Sequence, residues 1–252
     1  MRQVNLDAAK YGEFLRCLSL LKEDCNDADI REGIIRQRSN EKVSIFEIDL
    51  NDIVSGLSLP ISDLKQKFDL LKIFEEQEVV VEVNEEDNPP SFSFSDQYSS
   101  LKFKAPRLDF MDNKFMSEEE MNSSFTLEDE DMILSTTVSK NMSDRIKAIT
   151  RSFHVNSIRV VFEGDSATLI TATMSKDMTA KLMDGIVTDR ELNCISNIVA
   201  VPFVVDHDSD IDFKMYNVRD NLVVSKFSTT VGSINTVIYT RSNLIEEEPE
   251  GE

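Results

Sequence analysis

Between Arg107 and Asp131 the chain carries nine acids, Asp109, Asp112, Glu118, Glu119, Glu120, Glu128, Asp129, Glu130 and Asp131, with Met and Phe scattered among them at no clear period. A stretch of this kind offers no continuous face to a core, so it divides the chain into two halves. Each half then shows the same order of elements: strand, helix, hairpin, strand, second helix or turn, then strands. No residue-level repeat accompanies that order. The agreement is one of architecture, as for two similar α+β units able to continue a sheet across a connector. The expected organisation is therefore 1–106 as a first domain, 107–131 as the interdomain connector, 132–245 as a second domain, and 246–252, with five glutamates, as a disordered acidic tail.

In the first half, Asn5 or Asp7 caps a helix running to about Lys22, with Leu6, Tyr11, Phe14, Leu15, Cys17, Leu18 and Leu21 over half its wheel and Arg16 among small residues on the other. Ile30–Arg38 and Val43–Leu50, around the Ser39-Asn40 turn, form a two-stranded hairpin. Ser62 or Asp63 caps a second helix to about Phe74 with Leu64, Phe68 and Leu71 as its buried stripe. Strands at Glu78–Val83, Ser91–Ser95 and Ser99–Ala105 follow. In the second half, a strand at Met132–Val138 leads into a helix at Lys140–Phe153. Met142, Ile146, Ile149 and Phe153 fall in its apolar arc, and Lys147 and Arg151 point the opposite way. Ser157–Glu163 and Thr168–Met174 pair as a hairpin about Gly164-Asp165. Lys176–Leu192 is ambiguous, Asn193–Val205 is a strand that ends or bulges at Pro202, and Asp210–Asn221 holds one or two helical turns. Leu222–Ser228 and Ile234–Arg241 join around Gly232.

The helix at Lys140–Phe153 also reverses the sign of the chain. The formal net charge is −20, from 47 acids and 27 bases, which disfavours general adhesion to nucleic acid or anionic membrane. Within that helix Lys140, Arg145, Lys147 and Arg151 are opposed by Asp144 alone. Arg16 on the first helix, and Lys65 with Lys72 on the second, likewise set positive charge opposite an apolar stripe. Any contact with a polyanion is thereby confined to helix faces.

Other chemistries lack residues to carry them. The two histidines, His154 and His207, have no metal-ligand spacing with cysteines or acids, and His154 ends a helix where a cation suits the dipole. No phosphate-binding glycine loop and no G-x-S-x-G occurs among the seven glycines. No enzyme, cofactor or metal is expected. Asp206, Asp208, Ser209, Asp210 and Asp212 lack the glycine and the closing glutamate of a calcium loop and form a solvated acidic loop. Cys17, Cys25 and Cys194 are reduced core thiols. The N-terminus has no apolar leader region and no 18-residue apolar run occurs, so the chain is expected in the cytoplasm.

With these residues in place, the chain resembles a DNA sliding clamp, the processivity factor of replicative polymerases, and most closely the clamps of tailed bacteriophages. The likeness lies in ILSTTVSKNMSDRIKAITRSFHVNSIRVVFEGDSATLITATM, and in LSLPISDLKQKFDLLKIF followed by SLKFKAPRLDFMD. It implies two similar clamp-type α+β domains with helices packed on antiparallel sheets, assembling as a homotrimeric ring around duplex DNA. It also implies a DNA polymerase and a clamp loader ATPase as partners, and host cytoplasm as the location if the protein is viral. Carried to this chain, the pore-facing residues are Arg16, Lys65, Lys72, Lys140, Arg145, Lys147 and Arg151. Lys214 and Arg219 lie on a weak fourth helix, which counts against a clamp of cellular type. Leu108, Phe110, Met111 and Phe115 either line a pocket for partner peptides or pin the connector to its sheet. Leu101–Lys104 is expected to meet an edge strand of a neighbouring subunit within Lys176–Val187. An acidic protein-binding adaptor or DNA mimic without a ring is the alternative; it explains the net charge but not the clustered helix cations.

Overall fold

A computed structural model describes residues 1–172 and 179–246. They form two compact units, Met1–Met121 with Thr230–Val237, and the remainder from Asn122 onward.

The first unit begins with β1 (Arg2–Leu6), followed by α1 (Ala8–Leu21). The Asp7 carboxylate accepts the Lys10 amide at 2.8 Å and so starts the helix where the sequence indicates. Next come β2 (Ala28–Arg31) and β3 (Ile34–Arg38), two strands where one was expected. Glu32 and Gly33 between them have φ of 51° and 82°, the pair of left-handed residues a tight hairpin turn requires. Then follow β4 (Ser44–Asp49), a single helical turn α2 (Asn51–Val54), β5 (Leu59–Ile61) and α3 (Leu64–Leu71), which tightens into a 3-10 turn at Lys72–Phe74. β6 (Val79–Asn84), β7 (Ser91–Ser95) and β8 (Ser100–Lys104) complete an antiparallel sheet of order β1-β6-β7-β8, while β5, β2, β3 and β4 pair in that order. α1 and α3 lie side by side, the Tyr11 hydroxyl donating to the Leu71 carbonyl at 2.8 Å. Under them Tyr11, Phe14, Phe74 and Phe94 are fully buried and in ring contact, each contributing roughly 2–3 kcal/mol of burial. Burial also pushes the Cys17 and Cys25 thiols up to about 12, which leaves them unreactive.

The connector is not without structure. It holds α4 (Glu118–Ser124), which the acidic composition concealed. Ser117 and Glu120 bond reciprocally, the Glu120 amide to the Ser117 hydroxyl at 3.2 Å and the Ser117 amide to the Glu120 carboxylate at 2.7 Å. That capping box, with three glutamates in the first turn, matches the helix dipole.

The second unit contains β9 (Met132–Val138), α5 (Lys140–Phe153), β10 (Ser157–Ala172), β11 (Thr179–Val199), α6 (Val201–Val204), β12 (Ile211–Arg219), β13 (Leu222–Val231) and β14 (Ile234–Glu246). β9 and α5 have the bounds that the sequence predicts. β10 does not turn at Gly164-Asp165. Gly164, at φ 64°, sits at a shift in the β10–β11 register, so the glycine makes a bulge in a continuing strand. The end of the expected strand Thr168–Met174, residues 173–174, lies outside the described residues, as do 176–178 and the tail 247–252. The expected helical turns at Asp210–Asn221 are instead the strand β12, paired with β9 on one side and β13 on the other. Phe213 and Met215 face the core while Asp212 and Lys214 face away, a period of two. Phe213 stacks on Phe227 with ring centroids 4.6 Å apart and Phe203 meets both edge-on. The architecture is α+β with antiparallel sheets, as expected. Among the described residues no helix is long and apolar enough to cross a membrane.

The tip of the β13–β14 hairpin belongs to the first unit, where Glu13 of α1 accepts the Ser233 amide at 3.1 Å and its hydroxyl at 2.7 Å. Gly232 has φ 63°, and a Cβ there meets the Glu13 carboxylate. Gly232→Ala is expected to cost about 1–2 kcal/mol, from the left-handed backbone and the displaced carboxylate, read as a melting point lower by a few degrees. An unchanged melting point sinks this reading.

Candidate nucleic-acid interface

α5 is placed by local chemistry. The Ser139 hydroxyl accepts the Met142 amide at its start, and His154, left-handed at φ 52°, closes its end. Its fully buried positions are Ser143, Ile146 and Thr150, which turns the core face away from the expected arc and leaves Phe153 exposed. Small hydroxyls can face inward because they find acceptors: Thr150 Oγ1 bonds the Ile146 carbonyl at 2.9 Å, and Ser143 Oγ lies 3.0 Å from the Phe203 carbonyl.

This rotation re-sorts the cations. Lys147, expected to face away from the core, has a side chain only 15% exposed and is paired with Asp206. Lys140 is held by Asp144 at 3.2 Å, an exposed pair of small worth. Arg145 and Arg151 are exposed and make no ion pair among the described residues. Six positions apart on the helix, they stand about 120° from each other, with Asn141, Asp144, Ala148 and Ser152 between them. The acidic loop is not simply solvated either, since Asp206 holds Lys147 and Asp210 accepts the Lys140 amide at 2.8 Å.

In the first unit Lys65 is exposed on α3, while Lys72 and Lys22 both lie over the Phe68 ring, at 5.4 and 4.0 Å from its centroid. Lys22 was not among the expected residues because it falls just beyond the apolar period of α1. Arg16 is half-buried. Lys214 pairs with Asp212 at 3.5 Å on β12, and Arg219 ends that strand, so neither lies on a helix. The short α6 is the only helix between β11 and β12.

The connector residues divide. Met111 is buried and Phe115 is half-buried beneath the Arg31 guanidinium, so both pin the chain. Leu108 and Phe110 face solvent, Phe110 at 73% exposure with Arg107 over its ring. The pinning rests on a network absent from the sequence reading. The buried Asp27 carboxylate accepts the Asp112 amide at 2.6 Å and the Asp63 amide at 3.1 Å. Asp29 accepts the Phe115 amide at 3.1 Å, and the Asn113 side chain bonds the Asn26 amide and the Arg38 carbonyl. Further along, in the second unit, Phe125 stacks on Tyr239 at 5.1 Å, with Arg241 over Phe125 and Lys226 over Tyr239.

Many solved structures resemble the chain, among them two that match nearly its whole length. The Proliferating Cellular Nuclear Antigen from Entamoeba histolytica shares 15% identity over 96% of this chain and 98% of that one, with a TM-score of 0.61. The PCNA2-PCNA3 complex from Sulfolobus tokodaii shares 13% over 96% of this chain and 99% of that one, with a TM-score of 0.60. No protein-family model and no curated protein matches the sequence. At these identities the likeness gives the fold, that of the clamps.

Proposed function

We propose that this chain is the subunit of a sliding clamp, a non-catalytic ring that encircles duplex DNA and tethers a replicative DNA polymerase. The observation that carries this reading is the clamp fold over 96% of an acidic chain that sets four exposed cations, Lys65, Lys72, Arg145 and Arg151, on helices. Attraction between such residues and phosphates is independent of sequence, so the ring can slide, while its closure prevents escape. The tethered enzyme stays at high effective concentration on its template. Opening the ring falls to an ATP-driven loader, and Leu108 and Phe110 are the residues that a partner's peptide would meet. Within the class, a phage-type clamp acting in host cytoplasm is the finer reading, supported by the four-residue α6 where a fuller fourth helix would thicken the lining.

Self-association as a homotrimer is supported at the β8 edge of the first sheet. Lys67 of α3 lies over Phe103 of β8 at 5.7 Å, and further along the same segment Leu70 and Ile73, the latter 55% exposed, offer apolar surface. Together with Leu101–Lys104 this surface would receive a neighbouring subunit's β11 within Thr179–Val187, the described part of the expected range. Light scattering is expected to give about three times the 28.7 kDa chain mass, with particles showing a hole of about 20 Å or more, enough for a duplex. Leu70→Asp with Ile73→Asp is expected to reduce the mass to one chain. A stable monomer of the parent at micromolar concentration overturns the ring and favours the adaptor.

A further inference from the structure

The β10–β11 ladder breaks at a place that carries reactive chemistry. Ala167 of β10 faces Ile186 and Leu169 faces Met183, so Thr168 alone stands opposite both Asp184 and Gly185. Two residues against one make a bulge, and it takes both out of the register. Asp184 and Gly185 are exposed, Gly185 is left-handed at φ 71°, and a Cβ there meets nothing within 4 Å. Of the seven glycines in the chain, only Gly185 follows an aspartate or an asparagine. Asp184 has an ion-pair partner in Lys181, but both side chains are more than half exposed, so water reaches them.

This order of residues puts an electrophile beside a nucleophile. A bond from the Gly185 amide nitrogen to Asp184 Cγ closes a five-membered ring through Cβ, Cα and the main-chain carbonyl carbon. A following side chain ordinarily crowds that approach, and a regular ladder fixes the peptide in an extended form that resists it. At Gly185 there is no side chain, and the bulge has already released the backbone from the ladder. When the nitrogen attacks Cγ, the amide proton and the carboxyl hydroxyl leave together as one water, and a succinimide remains. Water then returns to one of the two ring carbonyls. Opening the bond from nitrogen to Cγ restores aspartate. Opening the bond from nitrogen to the main-chain carbonyl carbon leaves isoaspartate, whose backbone runs through Cβ and Cγ and whose carboxylate sits on Cα. The water lost is regained, and nothing is oxidised or reduced.

We propose that Asp184-Gly185 is a site of spontaneous isoaspartate formation, through which β11 is altered with age at its bulge. Each converted chain gains one methylene in its backbone, and the flanking ladder of 166–172 with 179–187 has to absorb it. The chemistry needs this chain alone and so stands apart from the clamp reading. If a neighbouring subunit covers this edge, conversion slows in the assembled protein and recovers in the Leu70→Asp, Ile73→Asp variant.

The test is warm storage of the full chain at neutral pH, sampled over weeks. Methylation by an isoaspartyl methyltransferase counts the product, and fragmentation mass spectrometry places it, the succinimide appearing as a chain lighter by one water. Conversion at Asp184 is expected to run several-fold faster than at Asp165 or Asp208, both exposed and each followed by a serine. Gly185→Ala is expected to slow it several-fold. Should that variant not fold at its left-handed position, Asp184→Glu decides, because its ring would need six members and the signal at this site should vanish. Equal rates at the three aspartates in both the parent and the Leu70→Asp, Ile73→Asp variant overturn the proposal, as does a signal that survives Asp184→Glu. Peptides carrying isoaspartate elute apart from their parents, so amide exchange can be read on each. Protection within 179–187 is expected to fall several-fold in the converted form, and equal protection overturns the claim that the ladder absorbs the change.

Discussion

Replacing Arg145 and Arg151 together by glutamate is expected to weaken attraction for duplex DNA on the order of tenfold to a hundredfold at moderate salt. Both guanidiniums are exposed, and among the described residues neither has an acid to satisfy it. Each lost phosphate contact removes about one released counterion, so the double reversal should lower the salt slope by about 2. α5 itself should be little affected, since substitutions at such exposed positions usually change stability by less than about 0.5 kcal/mol. Lys147→Gln provides the contrast: its ammonium is committed to Asp206, so its loss should appear in stability and hardly in the salt slope. Anisotropy titrations of labelled duplex across a salt series separate the two. A double variant with the parent's slope removes α5 from the DNA face.

Asp27→Ala is expected to lower stability by roughly 2–4 kcal/mol, because it deprives two part-buried backbone donors of a charged acceptor. Those donors are the amides of Asp63 and Asp112, one at the start of α3 and the other in the connector. A single carboxylate therefore sets the entry to a cation-bearing helix and fixes the segment presenting Leu108 and Phe110. Asp27→Asn should fall between, keeping one acceptor while turning an amide group towards a donor. Urea denaturation gives the stability, and proteolysis at Arg107 and Lys114 should accelerate in step. A variant that unfolds at the parent's urea midpoint would mean that Asn113 and Asp29 hold the connector without Asp27.

What the sequence made legible was governed by short-range signals. β9 and α5 were expected with the bounds they have, and the Ser139 cap that starts α5 is a contact within four residues, made without reference to distant ones. Gly164-Asp165 misled because a left-handed glycine serves a turn and a bulge equally, and only the pairing with Asn193 and Leu192 across the ladder distinguishes them. β12 was hidden in the same way. Ile211, Phe213 and Met215 do alternate, but among aspartates and lysines the period is weak, and the ladders to β9 and β13 decide it. At the candidate interface the residue types could be seen and their availability could not. Lys147 is neutralised by an acid 59 positions away, and Ser143 is drawn inward by a histidine 64 positions away. The Ser117 and Glu120 capping box was visible but was masked by the charge around it.

The contact between Glu13 and Ser233 spans 220 positions. A ribosome adding about 5–20 residues each second needs roughly ten to forty seconds to cover that interval. For about half of that time, from Met121 to Thr230, the nascent first unit waits without the Thr230–Val237 piece that its contacts claim. The surface that piece covers stays open to chaperones or to other nascent chains through nearly half of synthesis, and the unit closes only when the downstream hairpin clears the exit tunnel. The two halves, alike in plan, are therefore unequal in time.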